Sequence, residues 1–184
     1  NKKFIYGLIK EGARAKEYEL ALSWLIDCGL IYKIDRVTKP NIPLIAYQNT
    51  SAFKLYILDF GILGAMTRID EKILLEGNEI FTEFKGSFTE QFVLTELKSN
   101  KDIPIFYWSA EKATAKIDFL IQLGTDVIPI EVKASENLQA KSLKTFIEKY
   151  KTTKNIRTSM SNYRKEEKFI NIPLYTIANV EKLV

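Results

Sequence analysis

Three apolar runs in quick succession constrain this chain more than any other feature. Ile103–Trp108 (IPIFYW), Lys116–Leu123 (KIDFLIQL) and Asp126–Ala134 (DVIPIEVKA) are each short and rich in β-branched and aromatic residues. Turn formers separate them, so they are expected to be strands. Helical periodicity precedes and follows them. A long helix is expected from about Phe81 or Gly86 to Ser99. An amphipathic one is expected over Gln139–Lys151, with Leu143, Phe146, Ile147 and Tyr150 inward. Two further short strands are expected around Asn155–Ser159 and Pro173–Ile177. A helix, three strands, a helix and a strand predict an α/β fold with a mixed sheet flanked by helices.

Ahead of this block, Gly12–Leu30 has helical spacing at Ala15, Tyr18, Leu22, Leu25 and Ile26, and Gly29 follows as a C-terminal stop. Ile31–Val37 alternates like a strand, Lys39–Pro43 is a turn, and Leu44–Gln48 is the expected return strand. A helix running into a hairpin is the pattern of a small winged-helix-like region. Ser51–Met66 reads as a strand leading into a short apolar helix. There Asp59-Phe60-Gly61 is better taken as a helix N-cap than as the kinase metal-binding triplet, because no Gly-rich or catalytic loop accompanies it. The expected division is residues 1–66 for the winged-helix-like and linker region and 67–184 for the α/β domain.

Composition narrows the chemistry. The chain has 184 residues, no His and a single Cys28. An intrachain disulfide, imidazole-based triads and His- or four-Cys metal sites are all excluded. The lone cysteine points to a reducing cytoplasm. No apolar run reaches membrane-spanning length, and there is no Walker A loop, so neither a membrane anchor nor an ATP site is expected in this chain. Asn1–Lys10 reads as the middle of something longer.

The hairpin KIDFLIQLGTDVIPIEVKA carries the charged residues that matter. With Gly124-Thr125 as a two-residue turn, Asp118 falls opposite Glu131, and Lys133 shares their face. A turn at Thr125-Asp126 would put Asp118 opposite Lys133 instead. Facing carboxylates repel unless one binds a proton, Lys133 compensates, or a divalent cation sits between them. Oxygen donors suit Mg²⁺ or Mn²⁺. A lysine two residues beyond a ligand Glu can orient a metal-bound water, which would hydrolyse phosphodiesters without histidine. Ile117, Phe119, Ile121, Ile128, Ile130 and Val132 are expected to form one apolar face. Ile105 and Tyr107 offer a neighbouring strand, which would place the carboxylates mid-sheet.

Asp118, twelve intervening residues, and Glu131-Val132-Lys133 resemble the acidic–lysine motif of restriction-endonuclease-like (PD-(D/E)XK) nucleases. The stretches GARAKEYELALSWLIDCGLIYKI, SAFKLYILDFGIL, GSFTEQFVLTEL, FYW, KIDFLI, PIEVKAS, KSLKTFIEKY and NIPLYTI resemble, in order, the C-terminal region of bacterial and archaeal AAA-type ATPases. In that group a domain of unknown function with a restriction-endonuclease-like core follows a P-loop ATPase domain. The resemblance implies Asp118, Glu131 and Glu90 as metal ligands, with the Val132 carbonyl as a further one, and Lys133 as the residue positioning water. Glu90, Asp118, Glu131 and Lys133 would then be catalytic, in a Mg²⁺-dependent phosphodiester hydrolase. Two departures stand out: Ile117 occupies a position where the motif often has Pro, and Ser109 follows Phe106-Tyr107-Trp108 where many relatives have Arg.

Charge is uneven along the chain. Residues 133–184 carry a net +6 and residues 1–132 a net −2. Lys141, Lys144, Lys151, Lys154 and Arg157 are the expected nucleic-acid contacts, DNA being the expected partner besides an upstream ATPase domain. The alternative is a catalytically inactive nuclease-fold module that docks DNA or a protein partner and regulates the ATPase. A third class is a defence-system or toxin–antitoxin sensor that recognises protein.

Overall fold

The computed structural model describes residues 3–6, 9, 14–68, 79–99, 103–110, 115–134 and 139–183. The elements are α1 (Ala15–Asp27), β1 (Ile31–Val37), a 3-10 turn (Leu44–Tyr47), β2 (Gln48–Ile57), α2 (Phe60–Thr67) and α3 (Glu79–Ser99). There follow β3 (Ile105–Ser109), β4 (Lys116–Leu123), β5 (Asp126–Val132), α4 (Lys141–Tyr150), β6 (Ile156–Ser159), β7 (Arg164–Lys165) and β8 (Ile170–Pro173). A 3-10 turn (Leu174–Asn179) and α5 (Val180–Leu183) close the chain. The result is a mixed α/β fold around one eight-stranded sheet, in the order β2-β1-β3-β4-β5-β6-β8-β7. β1 runs parallel to β3, β5 to β6 and β6 to β8, and the remaining neighbours are antiparallel.

Two hydrophobic clusters lie on opposite faces, as the alternation of β3 and β5 requires. Ile105, Tyr107, Ile128, Ile130 and Val132 pack with Val93, Leu94 and Leu97 of α3. Phe106, Trp108 and the half-buried Val127 pack with Leu143, Phe146 and Ile147 of α4. The expected inner stripe of α4 is therefore the observed one.

The hairpin β1–β2 is antiparallel, but it does not stand apart as a wing. β1 joins the main sheet through its parallel pairing with β3. The return strand begins later than expected. Leu44–Tyr47 forms a 3-10 turn because the Leu44 N–H donates to Gln122 Oε1 at 3.0 Å and the Ala46 N–H to the Pro43 carbonyl. Asp59 caps α2, its Oδ1 accepting from the Gly61 N–H at 2.7 Å. Gly29 ends α1 with a φ of +76°, a left-handed conformation that favours glycine. The side chains of Ala15 and Phe81, from the expected helices, lie outside the described residues.

Near the C-terminus the strand is Ile170–Pro173 rather than Pro173–Ile177. Pro173 has no N–H to continue a ladder, and the chain turns there into 3-10 geometry, with Thr176 Oγ1 donating to the Pro173 carbonyl at 2.7 Å. The two-residue strand β7 lies in the charged stretch before β8.

α1 is the least embedded of the longer helices, with Leu20 at 68% and Trp24 at 70% exposure. Leu94→Ala on α3 is expected to destabilise the protein by about 2–5 kcal/mol. Leu20→Ala on α1 is expected to change stability by no more than about 0.5 kcal/mol. Urea unfolding of the two variants checks this contrast, and equal losses would contradict the described packing.

Candidate functional site

The site is built where β4 and β5 meet the inner face of α3. Cross-strand pairs run from Leu123–Asp126 to Phe119–Ile130. This is the register expected from a Gly124-Thr125 turn, with Gly124 at a φ of +57°. The ladder stops one pair short of Asp118–Glu131. On its other side β4 pairs Leu120 with Phe106 but Ile117 with Trp108, so Tyr107 faces both Asp118 and Phe119. This β-bulge re-aims side chains. It corrects one expectation: Ile117 does not share a face with Phe119 and Ile121 but packs with Leu120 in the α4-side cluster. At the bulge, Asp118 Oδ2 accepts the Val132 backbone N–H at 3.0 Å in place of a ladder bond.

Glu90 sits on the buried stripe of α3, one turn before Val93 and Leu94 and two before Leu97. It therefore points at the sheet, not into solvent. Its Oε2 lies 3.3 Å from Lys54 Nζ and accepts from the Tyr56 hydroxyl at 3.2 Å. Lys116 Nζ bridges the acids, 3.8 Å from Glu90 Oε1 and 3.5 Å from Asp118 Oδ1. Glu131, between the α3-facing Ile130 and Val132, faces the α4 side and pairs with Lys133 at 2.8 Å, so the expectation that it shares a face with Asp118 is corrected: the bulge turns Asp118 to the α3 side, toward Lys116 and Glu90. Within the site, Asp118 Oδ1 and Glu131 Oε2 are buried without a hydrogen-bond partner; Asp35 Oδ1 on β1 is a third such carboxylate oxygen.

The electrostatics differ among the three acids. Burial pushes Glu90 upward, but the ammonium groups of Lys54 and Lys116 outweigh it and hold the carboxyl below its ordinary range. Burial and then the neighbouring Glu90 charge raise Asp118, against the pull of Lys54, Lys116 and the Val132 N–H. Burial raises Glu131 as well, with Lys133 and the Leu143 backbone N–H opposing and Asp118 adding to the rise. Among the described residues, no three His, Cys, Asp or Glu side chains lie close enough together to hold an ion.

The expected basic residues divide. Lys141, Lys144 and Lys151 are exposed on and just beyond α4. Lys154 is exposed but paired with Asp126 at 2.8 Å. Arg157 lies outside this surface. It is fully buried, with Nε donating to Asn171 Oδ1 at 2.9 Å, an Nη bound to Glu166 at 2.7 Å, and the guanidinium over the Phe169 ring. It is a polar core residue joining β6 to β8.

Sequence reasoning missed Lys54, Lys116 and Gln91. Gln91 fastens α3 to the end of β2 by accepting from the Ile57 N–H at 3.1 Å and donating to its carbonyl at 2.6 Å. A signal for Lys54 was present. Ala52, Lys54 and Tyr56 alternate on the buried side of β2, so a lysine between two buried residues needed a buried acid to meet it.

An α/β fold with an acid–lysine cluster at mid-sheet is the class that these features define. Residues 85–177 match the family described as Domain of unknown function (DUF4143), and the chain belongs to it. That domain is commonly found with AAA ATPases. Residues 1–73 match a second family, Domain of unknown function (DUF8612). No curated protein and no solved structure matches the chain. No helix among the described residues is long and apolar enough to cross a membrane.

The charge arrangement makes an ordered forecast for stability, measured by urea unfolding in the presence of a chelator. Glu90→Gln leaves Lys54 buried without its counter-charge and is expected to cost about 3 kcal/mol or more at neutral pH. Glu131→Gln is expected to be no less stable than the wild type at neutral pH. The sign follows from the raised folded-state pKa. Glu131 takes up its proton more readily when folded, so its favourable contribution is full below the ordinary Glu range and is lost as pH rises through the folded value. The wild type should therefore gain on the variant as pH falls through the carboxyl range.

Proposed function

We propose that this chain is the C-terminal region of an AAA-type ATPase. In this reading β3–β6, with α3 and α4, form a restriction-endonuclease-like core that binds nucleic acid and hydrolyses phosphodiesters with Mg²⁺ or Mn²⁺. The observation that carries the reading is the pair of buried oxygens that make no hydrogen bond, Asp118 Oδ1 and Glu131 Oε2, on adjacent central strands, with Lys116 beside the first carboxylate and Lys133 beside the second. Buried polar atoms are otherwise nearly always bonded. Two carboxylates suit Mg²⁺, which keeps several waters and takes its other ligands from substrate phosphates rather than from an all-protein cage. Asp118 and Glu131 would reach the ion from the two faces at the end of the β4–β5 ladder, and Glu90 would stand behind Asp118 through Lys116. When bound, the ion would supply a water of lowered pKa and charge stabilisation on the phosphate. Lys133, 29% exposed at its side chain and in contact with Glu131, would orient that water. Lys141, Lys144 and Lys151 would contact the phosphate backbone without reading sequence.

A second reading is supported by the same lysines. Each carboxylate has a cationic neighbour: Lys54 for Glu90, Lys116 for Asp118 and Lys133 for Glu131. In that case the cluster is neutralised and the domain docks DNA or a protein partner to regulate the ATPase.

Metal titration separates the two. Calorimetry with Mn²⁺ is expected to show a site that Glu131→Ala abolishes. Plasmid nicking is expected to fall by about 100-fold or more in Lys133→Met while Mn²⁺ binding persists. Absence of a metal site at millimolar Mn²⁺ would overturn the catalytic reading and leave the docking one.

A further inference from the structure

A cavity of about 380 Å³ opens on the α3 side of the sheet, above β1, β2, β3 and β4. Its lining includes Lys3, Arg36, Lys54, Lys116, Tyr107 and Ser109, and among the described residues no acid. Three other cavities among the described residues are different. The one under α1 mixes Glu19 with Lys33, and those near the C-terminus mix Glu166 and Glu167 with lysines. Four cations gathered on one wall repel one another, so the arrangement needs an anion. Only part of that anion is supplied from within. Lys54 and Lys116 are balanced from below by Glu90 and Asp118, whereas the Arg36 Nε–H is buried without an acceptor. Lys54 is 3% exposed and is fixed between Glu90 and the Tyr107 ring, 5.2 Å from its centroid. Its charge is thus held in place before any ligand arrives.

We infer that this cavity is a phosphate-group site for the nucleic-acid backbone, with Arg36 as the principal ligand and Lys3, Lys54 and Lys116 completing it. This deepens the nucleic-acid reading above and rests on it for the identity of the ligand. The cavity adjoins the carboxylates, because Lys116 lines it and also contacts Asp118. A backbone phosphate held there would place the neighbouring phosphodiester near Asp118. Arginine suits the role because its planar fork matches two phosphate oxygens. It comes from β1, so the segment ahead of the nuclease-like core supplies the grip. Ser109 and Arg36 line the same cavity from the neighbouring strands β3 and β1.

The test uses inorganic phosphate and a random-sequence DNA duplex, both with a chelator present. In ¹⁵N-resolved spectra the Arg36 Nε–H resonance is expected to shift on phosphate titration. It should shift equally in a Lys141/Lys144/Lys151→Gln triple variant. Arg36→Gln is expected to weaken duplex binding about fivefold and to lower the slope of log affinity against log salt by about one, as loss of one phosphate contact does. Arg36→Lys should keep the slope, and it carries the test if the Gln variant does not fold. An unmoved Arg36 resonance, together with wild-type duplex affinity in Arg36→Gln, would overturn the inference while leaving nucleic-acid binding through α4 intact. A phosphate-induced shift in a protein that binds no nucleic acid would support the cavity and place the failure on the nucleic-acid reading.

Discussion

The contact between Glu90 and Lys54 ties this structure together. Glu90 is placed by apolar packing. It occupies the same stripe of α3 as Val93, Leu94 and Leu97, so burying those residues against the sheet carries the carboxylate in with them. A bare carboxylate there would cost several kcal/mol in lost hydration. Lys54, equally buried on β2, meets that cost, and Tyr56 adds a hydrogen bond. Because β2 is the first strand of the sheet and β4 the fourth, the helix fixes the outer hairpin and the centre in one register. Gln91 then holds the same helix to the last residue of β2 through both of its amide atoms.

A gradient of charge satisfaction follows. Glu90 has the most cationic help and is held ionised. Asp118, next to it, shares Lys116 with it and feels its repulsion. Glu131 lies on the other face and relies on its own Lys133. The bulge at Asp118 and Phe119 creates this order. It shifts Asp118 out of the β4–β5 ladder, gives it the Val132 N–H, and leaves its Oδ1 without a hydrogen bond. Without the bulge, Asp118 would be one more member of a regular cross-strand pair with Glu131, and its link to α3 would be lost.

Much of this was legible in the sequence because local rules dominate there. The limits of β4, the β4–β5 register and the Asp59 cap each rest on a period, a turn residue or a capping side chain. The same holds for the inner stripe of α4. What stayed hidden was non-local. Nothing in Ile31–Val37 says that it will pair with a strand seventy residues later, so the hairpin read as a separate wing. Nothing in KIDFLIQL says that β3 will force a bulge on it, so Ile117 was assigned to the wrong face. The β7–β8 pair was obscured for another reason. β7 lies within the charged NYRKEEK stretch, which carries no hydrophobic alternation, and is exposed at the sheet edge.

Charge is where counting and placement diverge most. The last third of the chain carries most of the net positive charge, which suggested a basic face there. Yet Arg157 is fully buried against Asn171 and Glu166, Lys168 pairs with Glu148, and Lys154 pairs with Asp126. Those cations are largely answered from within. The acidic first two-thirds contributes Lys3, Arg36, Lys54 and Lys116 to a cavity lined, among the described residues, by no acid. Local potential depends on which charges face the same solvent, not on the total along a segment. A slightly acidic stretch can therefore build the more concentrated positive site. It does so here because its acids, Glu90 and Asp118, lie beneath the lysines rather than beside them.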